Sequence, residues 1–62
     1  MIKLTNIAKG SIDTPVYIDY SSIVAIALYK EGIEDIATRI HTVSGVVFAV
    51  KETPEEIFRL VN

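Results

Sequence analysis

The chain has 62 residues, six of them basic and eight acidic, with a net charge of −2 and no cysteine. That length makes one domain, residues 1–62, and leaves no room for a second core. The absent cysteines exclude disulfides and thiolate metal sites. Lys3, Lys9, Lys30, Arg39, Lys51 and Arg59 are dispersed and never adjacent, so nucleic acid, which binds clustered cations, is not an expected partner.

A chain this short buries only about 60% of the surface that its unfolded form exposes. Disulfides, metals and oligomerisation are the usual remedies. With one histidine, His41, and scattered carboxylates, a structural zinc site is not expected either. A homo-oligomer is the remaining expectation. Half of the residues are hydrophobic and the mean hydropathy is +0.40. Many are β-branched, which favours pleated, half-buried surfaces with apolar side chains on more than one face. The longest apolar run, Ile23–Tyr29, is far short of the roughly 18 residues of a membrane span. The opening Met1-Ile2-Lys3-Leu4-Thr5 alternates and lacks the apolar core of a secretory signal. No membrane insertion and a cytoplasmic location are the resulting expectations.

In chain order, alternation predicts a first strand over Ile2–Ile7, with Ile2 and Leu4 on one face. Lys9-Gly10-Ser11 and Asp13-Thr14-Pro15 bracket a turn. Pro15 cannot donate to a ladder and belongs at a strand start or edge. Val16–Asp19 reads as a short second strand, Val16 and Ile18 inward and Tyr17 outward. Asp19-Tyr20-Ser21-Ser22 is a polar corner whose side chains can bond nearby amides. Ile23–Lys30 is the third strand and is apolar in both alternating sets, a pattern that predicts burial on both faces. One helix cannot cover both faces of a sheet, so the strand implies a neighbouring subunit.

Glu31–Ala37 is an acidic connection containing Gly32, Ile33 and Ile36. It reads equally as a hairpin arm reaching a neighbouring subunit or as a helical turn packed on its own sheet. Thr38–Val43 and Val46–Glu52 are the fourth and fifth strands, joined at Ser44-Gly45 by a two-residue hairpin signal. Thr53-Pro54-Glu55-Glu56 is a capping box with proline at the first helical position. Ile57, Leu60 and Val61 then form one apolar stripe on a helix of about two turns. The predicted architecture is α+β, mainly β: a four- to five-stranded antiparallel meander closed by one short C-terminal helix.

No catalytic constellation accompanies these elements. Gly10, Gly32 and Gly45 are isolated, so there is no phosphate-cradling loop. The pair Glu55-Glu56 is explained by the helix start, and Glu34-Asp35 by a solvated loop. The expected protein is therefore not an enzyme and carries no cofactor. Arg39 and His41, two apart on one strand, share a face, and Tyr17 and Tyr29 join them in a simple meander. Such a face can stack and charge-pair with a nucleotide-like ligand, or it is ordinary cross-strand pairing on an exposed sheet.

Three stretches carry a resemblance: Met1-Ile2-Lys3-Leu4-Thr5; Tyr17-Ile18-Asp19 followed by Ile23; and Ser44-Gly45 through Val50-Lys51-Glu52 to Glu55-Glu56-Ile57. Together they resemble the small flagellar and swarming-motility proteins of the FlbD/SwrD type, and similar short bacteriophage proteins. The chain departs from that pattern in its longer acidic connection, in Asp19 where the family pattern has asparagine, and in ending directly after the helix. The resemblance implies a non-catalytic accessory protein of a bacterium or phage and supplies no catalytic residues. Two functions follow as expectations. One is a self-associating interaction protein using Ile23, Ala25, Ala27, Ile33 and Ile36, with a protein partner. The other is a homo-oligomer sequestering a small nucleotide signal through Arg39, His41, Tyr29 and Tyr17.

Overall fold

The computed structural model describes residues 1–31 and 35–61. Its elements in order are β1 (Ile2–Thr5), β2 (Pro15–Ile18), a 3₁₀ turn (Tyr20–Ser22), β3 (Ile23–Glu31), β4 (Asp35–Thr42), β5 (Val47–Val50) and α1 (Pro54–Val61). The chain is mainly β with one C-terminal helix, as its patterning predicts. The strands form two antiparallel sheets, β1-β2 and β3-β4-β5, and not the single meander expected from sequence.

The corner at Asp19 is the physical reason. The Asp19 carboxylate accepts from the Ser21 amide at 3.1 Å and the Ser21 hydroxyl at 3.0 Å, and the Ser22 hydroxyl donates to the Asp19 carbonyl at 2.7 Å. These bonds close a 3₁₀ turn where a meander needs a hairpin, so β3 leaves β2 and pairs with β4. The Val43 amide fixes the exit by donating to the Ser22 carbonyl at 2.9 Å.

The two sheets are stitched elsewhere. Asn6 forms an isolated bridge with Val50. On either side of it, the Ile7 amide donates to the Ala49 carbonyl at 3.1 Å and the Lys51 amide to the Thr5 carbonyl at 2.9 Å. The Glu52 carboxylate reinforces the seam by accepting from the Thr5 amide at 2.8 Å and the Thr5 hydroxyl at 2.9 Å. β1 ends at Thr5, short of the Ile7 that alternation predicts, and the next residues bond both sides: Asn6 to Asp13 and Thr14, Ile7 to Ala49.

Local chemistry sets the remaining elements. The β4–β5 turn has three residues, one more than expected: the Thr42 amide bonds the Val46 carbonyl at 3.2 Å and Gly45 sits at φ 88°. A three-residue loop ending in a left-handed residue requires glycine there. Thr53 caps α1 as its sequence predicts. The Glu56 amide donates to the Thr53 hydroxyl at 3.2 Å, and the Thr53 amide donates back to the Glu56 carboxylate at 3.3 Å.

The core lies where β1-β2 faces β4-β5 and α1 closes the end. Ile2, Leu4, Ile18, Ile40, Val50 and Ile57 are its buried members, and Val16, Ile23, Ile26, Phe48 and Val61 pack against them half-buried. Only part of the predicted helix stripe reaches it: Ile57 is fully buried, whereas Leu60 is 54% exposed. The expectation for β3 is overturned as well. Among its described side chains none is buried, because β3 is the terminal strand of its sheet and the covering layer centres on β4 and β5.

Candidate functional site

Register divides the three-stranded sheet into two faces. Ile26, Ile40 and Phe48 oppose one another, as do Leu28, Thr38 and Val50, and this set turns towards the core. On the outer face His41 lies between Ala25 and Val47, Arg39 lies between Ala27 and Ala49, and Tyr29 lies opposite Ala37. Alternation along β4 and its pairing with β3 thus bring Tyr29, Arg39 and His41 onto one surface. The Arg39 guanidinium sits over the Tyr29 ring, 3.8 Å from its centre. Around these three the outer face carries Ala25, Ala27, Ala37, Ala49 and Val47.

Tyr17 is not part of that group. It lies on β2 opposite Lys3, in the other sheet, and lines a shallow groove with Val43, Val46 and Phe48. Its separation follows from the 3₁₀ corner, which removes β2 from the edge of β3.

The residues expected at an interface divide between the faces. Ala25 and Ala27 are exposed on the outer face, Ile23 is half-buried against the core, and Ile36 is 66% exposed on the core-side face beyond the covering layer. Ile33 lies outside the described residues. β3 and β4 pair as far as Glu31 and Asp35, so Ile36 and Ala37 belong to a strand and not to a helical turn. The β3–β4 ribbon extends past β5, whose pairing with β4 spans Thr38–His41.

Three residues outside the interface set expected from sequence enlarge this surface, two of them from an apolar set of the third strand. Val24 is 62% exposed, Leu28 58% and Phe58 47%. Val24 is displaced by a bulge between Ile23 and Ala25. It lines a groove of about 380 Å³ with Tyr20, Ile23, Ile26 and Phe58. Leu28 follows Ile26 on the core-side face and lies diagonal to Ile36. The signal for Phe58 is its place beside Ile57, one step off the buried stripe.

Among the described residues, no cluster of three or more His, Asp or Glu side chains is placed to hold a metal ion, and no helix is long and apolar enough to cross a membrane. Every buried side-chain nitrogen and oxygen there has a hydrogen-bond partner. Neither a family model, nor a curated protein, nor a solved structure matches this chain. The fold and the surface define a small, mainly β domain with an exposed apolar edge.

Proposed function

We infer that this chain is a non-enzymatic, self-associating interaction protein whose working surface is β3 and the apolar strip beside it. One observation carries the reading: a nine-residue strand, apolar on both faces, ends its sheet with no buried side chain among those described. An edge of that kind is a template for another chain, and soluble proteins ordinarily cover or charge it.

Sedimentation velocity between micromolar and hundreds of micromolar protein tests it. Self-association is expected within that range. A single monomeric species at every concentration overturns the reading.

A second reading, sequestration of a small nucleotide-like ligand between subunits, is favoured by the Tyr29–Arg39–His41 group. An aromatic ring under a guanidinium, on a floor of alanines, suits a planar anion. Calorimetry with mono-, di- and cyclic nucleotides tests it, and binding that survives Arg39→Ala overturns this assignment of the site.

A further inference from the structure

The geometry points to a specific partner for that edge: a second copy of this chain, paired β3 to β3 and antiparallel, with the two-fold axis at Ala27. The inference rests on the self-association proposed above and adds its location, direction and register.

The backbone of β3 is poised for such a pairing. In an antiparallel sheet, residues that bond one neighbour alternate with residues that bond the other. The Thr42 amide bonds Val46 across the β4–β5 turn, whereas the Val43 amide bonds Ser22 on the β3 side. Carried along β4, this alternation gives Ile40 and Thr38 to β5, and His41, Arg39 and Ala37 to β3. Their opposites Ala25, Ala27 and Tyr29 therefore spend their backbone groups on β4. Ile26, Leu28 and Lys30 turn theirs to the open edge.

Charge selects the direction. Lys30 and Glu31 lie together at one end of β3. A parallel pairing sets Lys30 beside Lys30, and like charges opposite one another are destabilising. An antiparallel pairing sends the two charged ends to opposite ends of the ribbon.

Side-chain fit and the bulge select the register. With Ala27 on the axis, Ile26 opposes Leu28 of the second copy twice on the core-side face. On the outer face Tyr29 opposes Ala25, large against small. This register leaves Lys30 beside the bulged Val24 only at the two ends of the ladder, whereas moving the axis to Leu28 brings Lys30 inward against Ile26. Moving it to Ile26 draws Val24, displaced by the bulge, into the body of the ladder.

The area needed is available. A standard interface takes about 800 Å² from each partner, less than a fifth of the 4448 Å² that this chain exposes. Val24 and Leu28, both strongly exposed, lie on the edge strand that the second copy would meet, and Phe58 shares a groove with Val24. Contiguous apolar patches on monomers rarely exceed a few hundred Å².

Single-cysteine variants of a chain that has no cysteine test the register directly. Ala27 falls at a non-hydrogen-bonded position of the proposed ladder, where Cα atoms approach to about 4.5 Å, within the range a disulfide spans. Ala27→Cys is therefore expected to form a disulfide-linked dimer under mild oxidation. Ala49→Cys, on the same outer face but on β5, is expected to remain unlinked, and circular dichroism checks that both variants fold. A wild-type protein that sediments as an oligomer while folded Ala27→Cys fails to cross-link overturns the β3 pairing and leaves self-association standing. A wild-type monomer at every concentration overturns both.

Discussion

The Arg39 guanidinium lies 3.8 Å from the centre of the Tyr29 ring, a diagonal contact between adjacent strands on the outer face of the three-stranded sheet. Arg39 is opposite Ala27 and Tyr29 opposite Ala37, so each large side chain leans over a small one to meet the other. A guanidinium over an aromatic ring at the protein surface is worth about 0.5–1 kcal/mol. A double-mutant cycle with Tyr29→Leu and Arg39→Met, read by urea unfolding, is expected to return a coupling of that size. Arg39→Lys is expected to recover only part of it, because a point charge lacks the planar stacking of guanidinium. A coupling indistinguishable from zero means that the contact contributes nothing to stability.

Glu52 joins the two sheets at Thr5. Its carboxylate accepts both the amide and the hydroxyl of Thr5, across a seam otherwise held by the Asn6–Val50 bridge and its flanking backbone bonds. Removing one partner of a part-buried hydrogen bond leaves the other unsatisfied, at about 1–3 kcal/mol. Glu52→Ala is expected to lower the denaturation midpoint accordingly with an unchanged slope, and Glu52→Gln, which keeps one acceptor oxygen, to lower it less. An Ala variant as stable as wild type shows that the backbone bridge holds the seam alone.

Burial separates two helix residues that sequence periodicity treats alike. Ile57 is fully buried in the core, whereas Leu60, three residues on, is 54% exposed. Ile57→Ala is expected to cost about 2–5 kcal/mol, enough to unfold much of so small a domain. Leu60→Ala is expected to stay within about 0.5 kcal/mol. Equal costs at the two positions place the helix in a different rotation.

The contrast shows what the sequence could reveal. Features specified by neighbours along the chain are legible: the Thr53 cap, the glycine at Gly45, and the common face of Arg39 and His41. The grouping of Tyr29 with them needs only the hairpin register of β3 and β4. Sheet membership is different, because it depends on a corner whose outcome is decided by three dimensions. Asp19-Tyr20-Ser21-Ser22 reads as a turn, but its 3₁₀ geometry sends Tyr17 to one sheet and β3 to another. The seam at Asn6–Val50 joins residues 44 positions apart and leaves no periodic trace. The two-sided apolar pattern of β3 is ambiguous for a physical reason. A strand buried on both faces and a strand awaiting a partner at its edge select the same residues.

Acid stability provides a further check on the corner. The Ser21 amide and, next, the Ser21 hydroxyl hold the Asp19 carboxyl below its ordinary value of 3.8. A folded-state pKa below the unfolded one contributes stability that is fully present above the unfolded value. That contribution is lost as pH falls through the folded value. Asp19 is therefore expected to add to the loss of stability below about pH 4. Asp19→Asn, which keeps an acceptor oxygen but does not titrate, is expected to flatten that part of the profile. Unfolding curves between pH 6 and about pH 2.5 compare the two chains. Superimposable profiles mean that the corner does not sense pH.

Leu28 tests whether the exposed strip belongs to assembly or merely to the surface of one chain. At 58% exposed and outside the core cluster, its replacement by lysine removes little packing within the chain, and the effect on the isolated fold is expected to stay within about 0.5 kcal/mol. At a β3–β3 ladder the same substitution sets a charge against Ile26 of the second copy, twice per dimer by symmetry. Association stabilises the folded state by mass action, so the melting temperature of a self-associating chain rises with protein concentration. Wild-type protein is expected to show that rise, and Leu28→Lys to melt at one temperature throughout, matching wild type at the lowest concentration. A variant that keeps the full dependence places the contact between copies away from β3. A variant destabilised equally at all concentrations shows that Leu28 serves its own chain's fold.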